Sequence, residues 1–208
     1  MSDRKRLYKV PKETYTFCGN QVEIWEELAA CGEGATVWES GETMSRYLEQ
    51  SGLDLEDKVV LELGSGTGLV SIVASLMGAK VTATDLADVL CCTKGNIPRN
   101  TEDRVKHRPV IRRLEWGSDD LDGFIPQYDY VLGADIVYIK RTFPELMRTL
   151  MHVCGPQTTL ILANKFRFDT DGEFYENILS KKFDVEQVLW DEENRVKVFR
   201  CKKKAAEV

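Results

Sequence analysis

The stretch that most constrains this chain runs from Val59 to Asp85. Val59, Val60, Leu61, Glu62 and Leu63 read as a buried strand, Gly64, Ser65, Gly66, Thr67 and Gly68 as a tight turn, and the apolar residues through Met77 as a helix. Lys80 to Asp85 then reads as a second strand ending on an acid, which completes one βαβ unit. Such units bind a nucleoside beyond the carboxyl ends of their strands. Glycines there let backbone approach the ligand, and an acid accepts ribose hydroxyls. Asp85 stands where that acid is needed.

Spacing narrows the nucleoside. The dinucleotide fingerprint G-x-G-x-x-G needs its third glycine at the position held by Leu69, whereas here it comes early, at Gly68. A phosphate-cradling loop needs Lys and then Ser or Thr after its last glycine, where this chain has Leu69 and Val70. Glu62 would repel a phosphate, yet it suits the ammonium and sulfonium of S-adenosylmethionine. The bland alternative is a tight turn in an α/β protein with no ligand.

At 208 residues, 43% hydrophobic and 30% charged, the chain can bury one sizeable core. A single domain over residues 1–208 is expected, with residues 1–12 as a flexible tail. The net charge of −6 argues against a broad nucleic-acid footprint. Apolar runs are strand-sized and no apolar segment follows the charged N-terminus, so neither membrane insertion nor secretion is expected. Six cysteines form no C-x-x-C pair, which points to reduced thiols and a cytoplasmic location, with the nucleus also open. Two distant histidines, His107 and His152, give little basis for a metal site or a histidine triad.

Tyr15, Phe17, Val22 and Ile24 alternate around a turn at Gly19 and Asn20, which predicts a hairpin that covers the site, contacts a partner or caps the core edge. Ser40 is expected to cap a helix carrying Met44, Tyr47 and Leu48, with Trp38 on the loop entering it. Trp38 either closes over a ligand or packs into the core. A helix from Asp88 to about Ile97, closed by Pro98, precedes a mixed strand Pro109 to Leu114 that ends in Glu115, Trp116 and Gly117. Trp116 thus falls at a strand end, as an adenine-stacking ring or as loop packing.

Tyr128 to Leu132 reads as a strand followed by Gly133, Ala134, Asp135, Ile136, Val137 and Tyr138, which carries an acid and an aromatic three residues apart out of the sheet. A helix Phe143 to Val153, a strand Thr159 to Ala163 and a helix Gly172 to Ser180 come next. A closing hairpin joins Phe183 to Trp190 with Arg195 to Cys201, and Lys202, Lys203 and Lys204 read as a solvated tail. The expected fold is α/β, a doubly wound seven-stranded, mostly parallel sheet with a C-terminal antiparallel hairpin and an N-terminal hairpin.

With Trp38, the E-L-G-S-G-T-G run from Glu62, Asp85, the E-W-G around Trp116 and A-D-I-V-Y at 134–138, the chain resembles the class I, seven-strand protein-lysine methyltransferases. More narrowly, it is similar to the methyltransferase-like 21 family. The resemblance spans about Val37 to Cys201, and the D-x-x-Y element with the two tryptophans narrows it beyond the widely shared glycine motif. It implies a Rossmann-like domain using S-adenosyl-L-methionine to methylate lysine in a folded protein, a heat-shock chaperone among the candidate substrates. Trp38, Gly64, Ser65, Gly66, Asp85, Trp116 and Ala134 would then hold the cofactor, and Asp135 and Tyr138 would receive the lysine. Relatives often carry alanine where Ser65 stands. Enzymes acting on planar amines place prolines where this chain has Ile136 and Val137, so such acceptors are disfavoured. The rival readings are a dinucleotide-dependent oxidoreductase, disfavoured by Leu69, a small-molecule methyltransferase, and a catalytically idle, chaperone-binding module of the same fold.

Overall fold

The computed structural model describes residues 13–26, 32–119, 121–124, 127–167 and 172–205, so the expected tail at 1–12 lies outside the described residues. A hairpin of β1 (Glu13–Phe17) and β2 (Asn20–Ile24) comes first. Helix α1 (Glu39–Gln50), β3 (Val59–Leu63), α2 (Leu69–Leu76), β4 (Lys80–Asp85), α3 (Leu90–Thr101) and β5 (Val110–Arg113) form the first half. The second half is β6 (Tyr130–Ala134), α4 (Phe143–Val153), β7 (Thr159–Lys165), two short helical turns within 174–181, β8 (Phe183–Asp191) and β9 (Val196–Lys203).

The seven-stranded sheet has the order β5-β4-β3-β6-β7-β9-β8. Its first five strands run parallel, and β9 is antiparallel to both β7 and β8. Alternation along the central strands feeds two cores, as the period of two requires. Leu61, Leu63, Val131, Leu160 and Leu162 face α4 through Leu146 and Leu150. Val60, Leu132 and Ile161 face Met44 and Leu48 of α1 and Val70 of α2. The expected fold class is therefore the observed one.

Of the roles expected for the hairpin, its buried face takes the edge-capping one. Phe17, Val22 and Ile24 pack on Leu69 and Ile72 of α2 and on Ile97 of α3. Two α3 side chains one turn apart fasten its outgoing strand. Asn100 exchanges hydrogen bonds with the backbone of Glu23 (2.9 and 2.9 Å), and Asn96 with that of Trp25 (3.0 and 3.0 Å).

Several local expectations are corrected. Pro98 lies inside α3 and does not end it, because the contacts of Asn96, Ile97 and Asn100 outweigh the roughly 3 kcal/mol penalty of an interior proline. The α1 cap position is held by Trp38, whose carbonyl accepts from Gly41 N–H at 2.8 Å, so Ser40 sits buried within the first turn. The segment expected as a helix from Gly172 to Ser180 is a π turn at Phe174–Ile178 followed by a 3-10 turn at Leu179–Lys181. The cysteines are not uniformly reduced. Cys91 is disulfide-bonded, whereas Cys18, Cys154 and Cys201 carry free thiols.

Lys202 and Lys203 belong to β9, since Thr159 on one side and Phe183 on the other offer strand partners. The Lys203 ammonium donates to the carbonyls of Met151 (2.7 Å) and Cys154 (2.9 Å) at the end of α4, which satisfies carbonyls left open by the helix terminus. Lys203→Ala should cost about 1–2 kcal/mol and lower the melting temperature by a few degrees in a chain of this size. Thermal melting of the variant checks this, and an unchanged transition would show that the two bonds contribute nothing net.

Candidate functional site

The direction of strand addition reverses between β3 and β6, and in open α/β sheets the crevice outside such strand ends takes the ligand. A cavity of about 310 Å³ lies there, within the range of small-molecule sites. Gly64 and Gly66 follow β3 on one wall, and Ala134 and Asp135 leave β6 on another. Gly64 and Gly66 have φ of +68° and +51°, which glycine adopts without a side-chain penalty. A Cβ on Gly64 would stand 2.6 Å from Cγ2 of Ile136, and one on Gly66 3.1 Å from the carbonyl oxygen of Gly34. Larger residues would be strained at both positions and would crowd the cavity rim.

Seven of the nine expected residues line this cavity: Trp38, Gly64, Gly66, Trp116, Ala134, Asp135 and Tyr138. Ser65 and Asp85 do not. The Ser65 hydroxyl turns toward Thr93 at 3.3 Å, and Ser65 joins Glu62 in lining a smaller adjoining space of about 50 Å³. Asp85 stands behind the glycine turn, where its two carboxylate oxygens accept the N–H of Gly66 and of Leu86, each at 2.8 Å. Burial pushes the Asp85 carboxyl up, and those two donors oppose the rise.

Trp38 is 40% exposed, which removes the core reading for it. Trp116 is half-buried, packs against the α4-side core and lines the cavity as well, so its stacking and packing readings describe one ring. Gly117 donates to Thr149 Oγ1 at 2.9 Å and accepts from Arg148 at 2.9 Å, which pins the Trp116 loop to α4.

The D-x-x-Y segment is held in a bent conformation. Asp135 has φ +54° and donates its N–H to the carbonyl of Ala163 at 2.9 Å. Asn164 is buried, and its amide accepts from the Val137 N–H at 3.2 Å and donates to the Val137 carbonyl at 3.1 Å. The segment after β6 is thereby tied to β7 on both sides of Ile136. Tyr138 emerges 57% exposed at the mouth. The Asp135 side chain is only 7% exposed, and its Oδ2 lies 3.3 Å from Nη2 of Arg167. The same guanidinium sits 5.8 Å from the ring centre of Trp38.

Four cavity residues escaped the sequence reading as site residues: Gly34, Thr36, Ile136 and Arg167. Gly34 and Thr36 come from a 3-10 turn at Gly32–Ala35 and the residue after it, and only the glycine spacing there hinted at close backbone approach. Arg167 lies in an irregular segment after β7, between two phenylalanines in the sequence, where no period announces it.

A family described as lysine methyltransferase matches residues 17–181. The chain is 35% identical to protein N-lysine methyltransferase METTL21A of Mus musculus, covering 93% of this chain and 88% of that one. It is 37% identical to EEF1A lysine methyltransferase 3 of Xenopus tropicalis, covering 89% of this chain and 83% of that one. Among solved structures, the T. thermophilus 16S rRNA N2 G1207 methyltransferase RsmC aligns with a TM-score of 0.65 at 14% identity, over 92% of this chain and 50% of that one. Magnesium protoporphyrin IX methyltransferase from Synechocystis PCC 6803 aligns with a TM-score of 0.59 at 16% identity, over 80% and 79%. At such identities these two show the fold alone.

Glu62 is the one fully buried carboxyl of the glycine motif, and it accepts a hydrogen bond from the Ser71 hydroxyl. Burial pushes its pKa up to about 8, against the opposing Ser71 bond and aided by nearby Asp85. Below the ordinary value of 4.5 the group is protonated in folded and unfolded chains alike. As pH rises from there to about 8, the unfolded chain releases the proton while the folded chain keeps it, so folding loses stability over that window. Glu62→Gln should therefore lose less stability than wild type as pH rises through it. Melting curves across the window check this, and parallel pH dependences would clear Glu62 of the effect.

Proposed function

The chain belongs to the lysine methyltransferase family, and from that premise we propose that the crevice between β3 and β6 binds S-adenosyl-L-methionine and presents it to a lysine of a folded protein. The observation that carries the proposal is one cavity with the glycine turn and Trp116 on one wall, Asp135 on another and Tyr138 at its mouth. When bound, S-adenosylmethionine supplies a methyl group carried on a sulfonium.

The residues present fit such a group. Gly64 and Gly66 leave backbone against which a nucleoside can lie, and Trp116 offers a ring beside Gly64, with its Cζ2 3.6 Å from where a Cβ on Gly64 would stand. Asp85 acts in two ways in this reading, as acceptor for ribose hydroxyls and as the tie that fixes Gly66. Ser65 contributes backbone, and Ala134 does the same on the opposite wall. Glu62, in the adjoining space with Trp38, is a carboxyl whose ionised form a cationic ligand group would favour.

On the acceptor side, Asp135 binds and orients the lysine ammonium. A free lysine has a pKa of about 10.4 and must lose a proton before its nitrogen can act as a nucleophile. A carboxylate favours the charged form, so Asp135 is an orienting group and the proton leaves to solvent at the open mouth. Tyr138 there offers either its hydroxyl to the amine or its ring face to the cation. For the substrate we favour a folded protein in the cytoplasm, with a heat-shock chaperone as the first candidate; a relative is named for EEF1A, which makes that factor the second.

Two outcomes are expected. Asp85→Ala should weaken binding of S-adenosylhomocysteine by the about 1.5–3 kcal/mol of a charge-assisted bond, read by calorimetry; unchanged affinity would take Asp85 out of the cofactor site. Labelled S-adenosylmethionine added with the enzyme to a cell extract should leave methyllysine on a protein band. Asp135→Ala should cut that labelling by orders of magnitude at unchanged cofactor affinity, because displacement depends steeply on alignment. Equal labelling by variant and wild type would end the orienting role, and partner capture with no methylated product would favour the binding-module rival.

A further inference from the structure

The acceptor side already holds a cation that belongs to the protein. Arg167 lines the cavity, places Nη2 3.3 Å from Asp135 Oδ2, and lies over the face of Trp38. A carboxylate and an aromatic face are the two groups that bind an ammonium best in a half-buried site. We propose that Arg167 is a specificity gate: its guanidinium occupies the position that the substrate lysine must take, and a lysine enters only by displacing it. This rests on the reading of Asp135 as the group that receives the lysine.

The surroundings of Arg167 favour a hinged side chain on a firm base. Phe166, the preceding residue, donates its N–H to the carbonyl of Arg195 at 2.8 Å, and its ring lies 6.0 Å from both Tyr175 and Phe199. Those two rings stack on each other at 4.0 Å. The backbone entering Arg167 is thus anchored in an aromatic cluster, while the Arg167 side chain is 36% exposed. With that exposure the side chain reaches water from a backbone that stays packed. Its departure frees the Asp135 Oδ2 that it now contacts.

Competition of this kind lowers the apparent affinity of an incoming ammonium in proportion to the fraction of molecules in which the site is open. Arg167 holds Asp135 through one contact, Nη2 to Oδ2 at 3.3 Å, and a lysine ammonium that replaces it exchanges one cation for another on the same carboxylate, so the exchange itself gains little. Displacement therefore requires that a substrate supply contacts beyond its lysine, which selects folded surfaces over free amines. The gate also predicts a split in kinetics. Its removal should lower KM for protein substrate while leaving kcat nearly unchanged, since Arg167 is absent from the site when a lysine occupies it.

The test uses full-length protein loaded with S-adenosylhomocysteine, titrated by NMR with N-acetyl-lysine methylamide. Arg167→Ala should bind this probe at least about tenfold more tightly than wild type, as expected when a site closed nine-tenths of the time is opened. Arg167→Gln, which keeps a polar side chain, should show the same gain. Asp135→Asn in the Arg167→Ala background should abolish it. Melting temperatures and S-adenosylhomocysteine affinity report whether the variants keep the fold and the cofactor site. Probe affinity that is unchanged or weaker in both Arg167 variants overturns the gate. Methyllysine formed in extract by wild type in that case leaves the methyltransferase proposal standing, whereas no methyllysine with any variant fails the proposal itself.

Discussion

The site depends on the hold that Asp85 has over the glycine turn. One carboxylate oxygen takes the N–H of Gly66 and the other takes that of Leu86, so a single side chain at the end of β4 fixes backbone that follows β3. The turn needs this help because its glycines, which alone tolerate its left-handed angles, also give the chain most freedom to leave them. Ser65 N–H bonds to the Thr84 carbonyl at 2.9 Å, and the Thr93 hydroxyl to the Gly66 carbonyl at 2.8 Å. Groups from β4 and α3 thus hold the turn from outside, leaving its inner surface to the cavity.

The opposite wall is held by a different device. Asp135 departs from β6 in a conformation uncommon for a side chain larger than glycine, and the strand beside it supplies the compensation. The Ala163 carbonyl takes the Asp135 N–H, and the Asn164 amide imitates a strand partner for Val137. Ile136 between them turns inward, is buried, and fills the space that side chains at Gly64 and Gly133 would need. The two walls fit each other because the glycine turn gives up side-chain volume where Ile136 supplies it.

How much of this was legible in the sequence followed from how local each cause is. The βαβ unit, the glycine turn and the helix Phe143–Val153 are encoded by spacing within a few residues, and they stand where spacing put them. Seven of nine expected site residues meet in one cavity, six of them carried there by the end of β6 and by segments that follow β3, β5 and β6, and Trp38 by the cap of α1. Ser65 and Asp85 lie outside that cavity's lining, and the hydrogen bonds their side chains make to Thr93 and to Gly66 and Leu86 are tertiary details that spacing does not encode. Pro98 and the terminal lysines depart from local propensity because contacts far along the chain outweigh it, whereas the α1 cap shifts by two residues within its own turn, from Ser40 to Trp38. Arg167 had no signal, since its partners Asp135 and Trp38 lie 32 and 129 positions away in an irregular segment and a cap.

Asn96 has one further consequence. Its amide nitrogen donates to the Trp25 carbonyl and also to the Thr67 carbonyl inside the glycine turn, each at 3.0 Å. A segment outside the main sheet and the loop at its centre therefore share one side chain. In evolutionary terms, the hairpin is not free to drift as a surface ornament: substitutions that reshape it are transmitted to the turn unless Asn96 is kept, so hairpin, asparagine and glycine loop should change together or not at all.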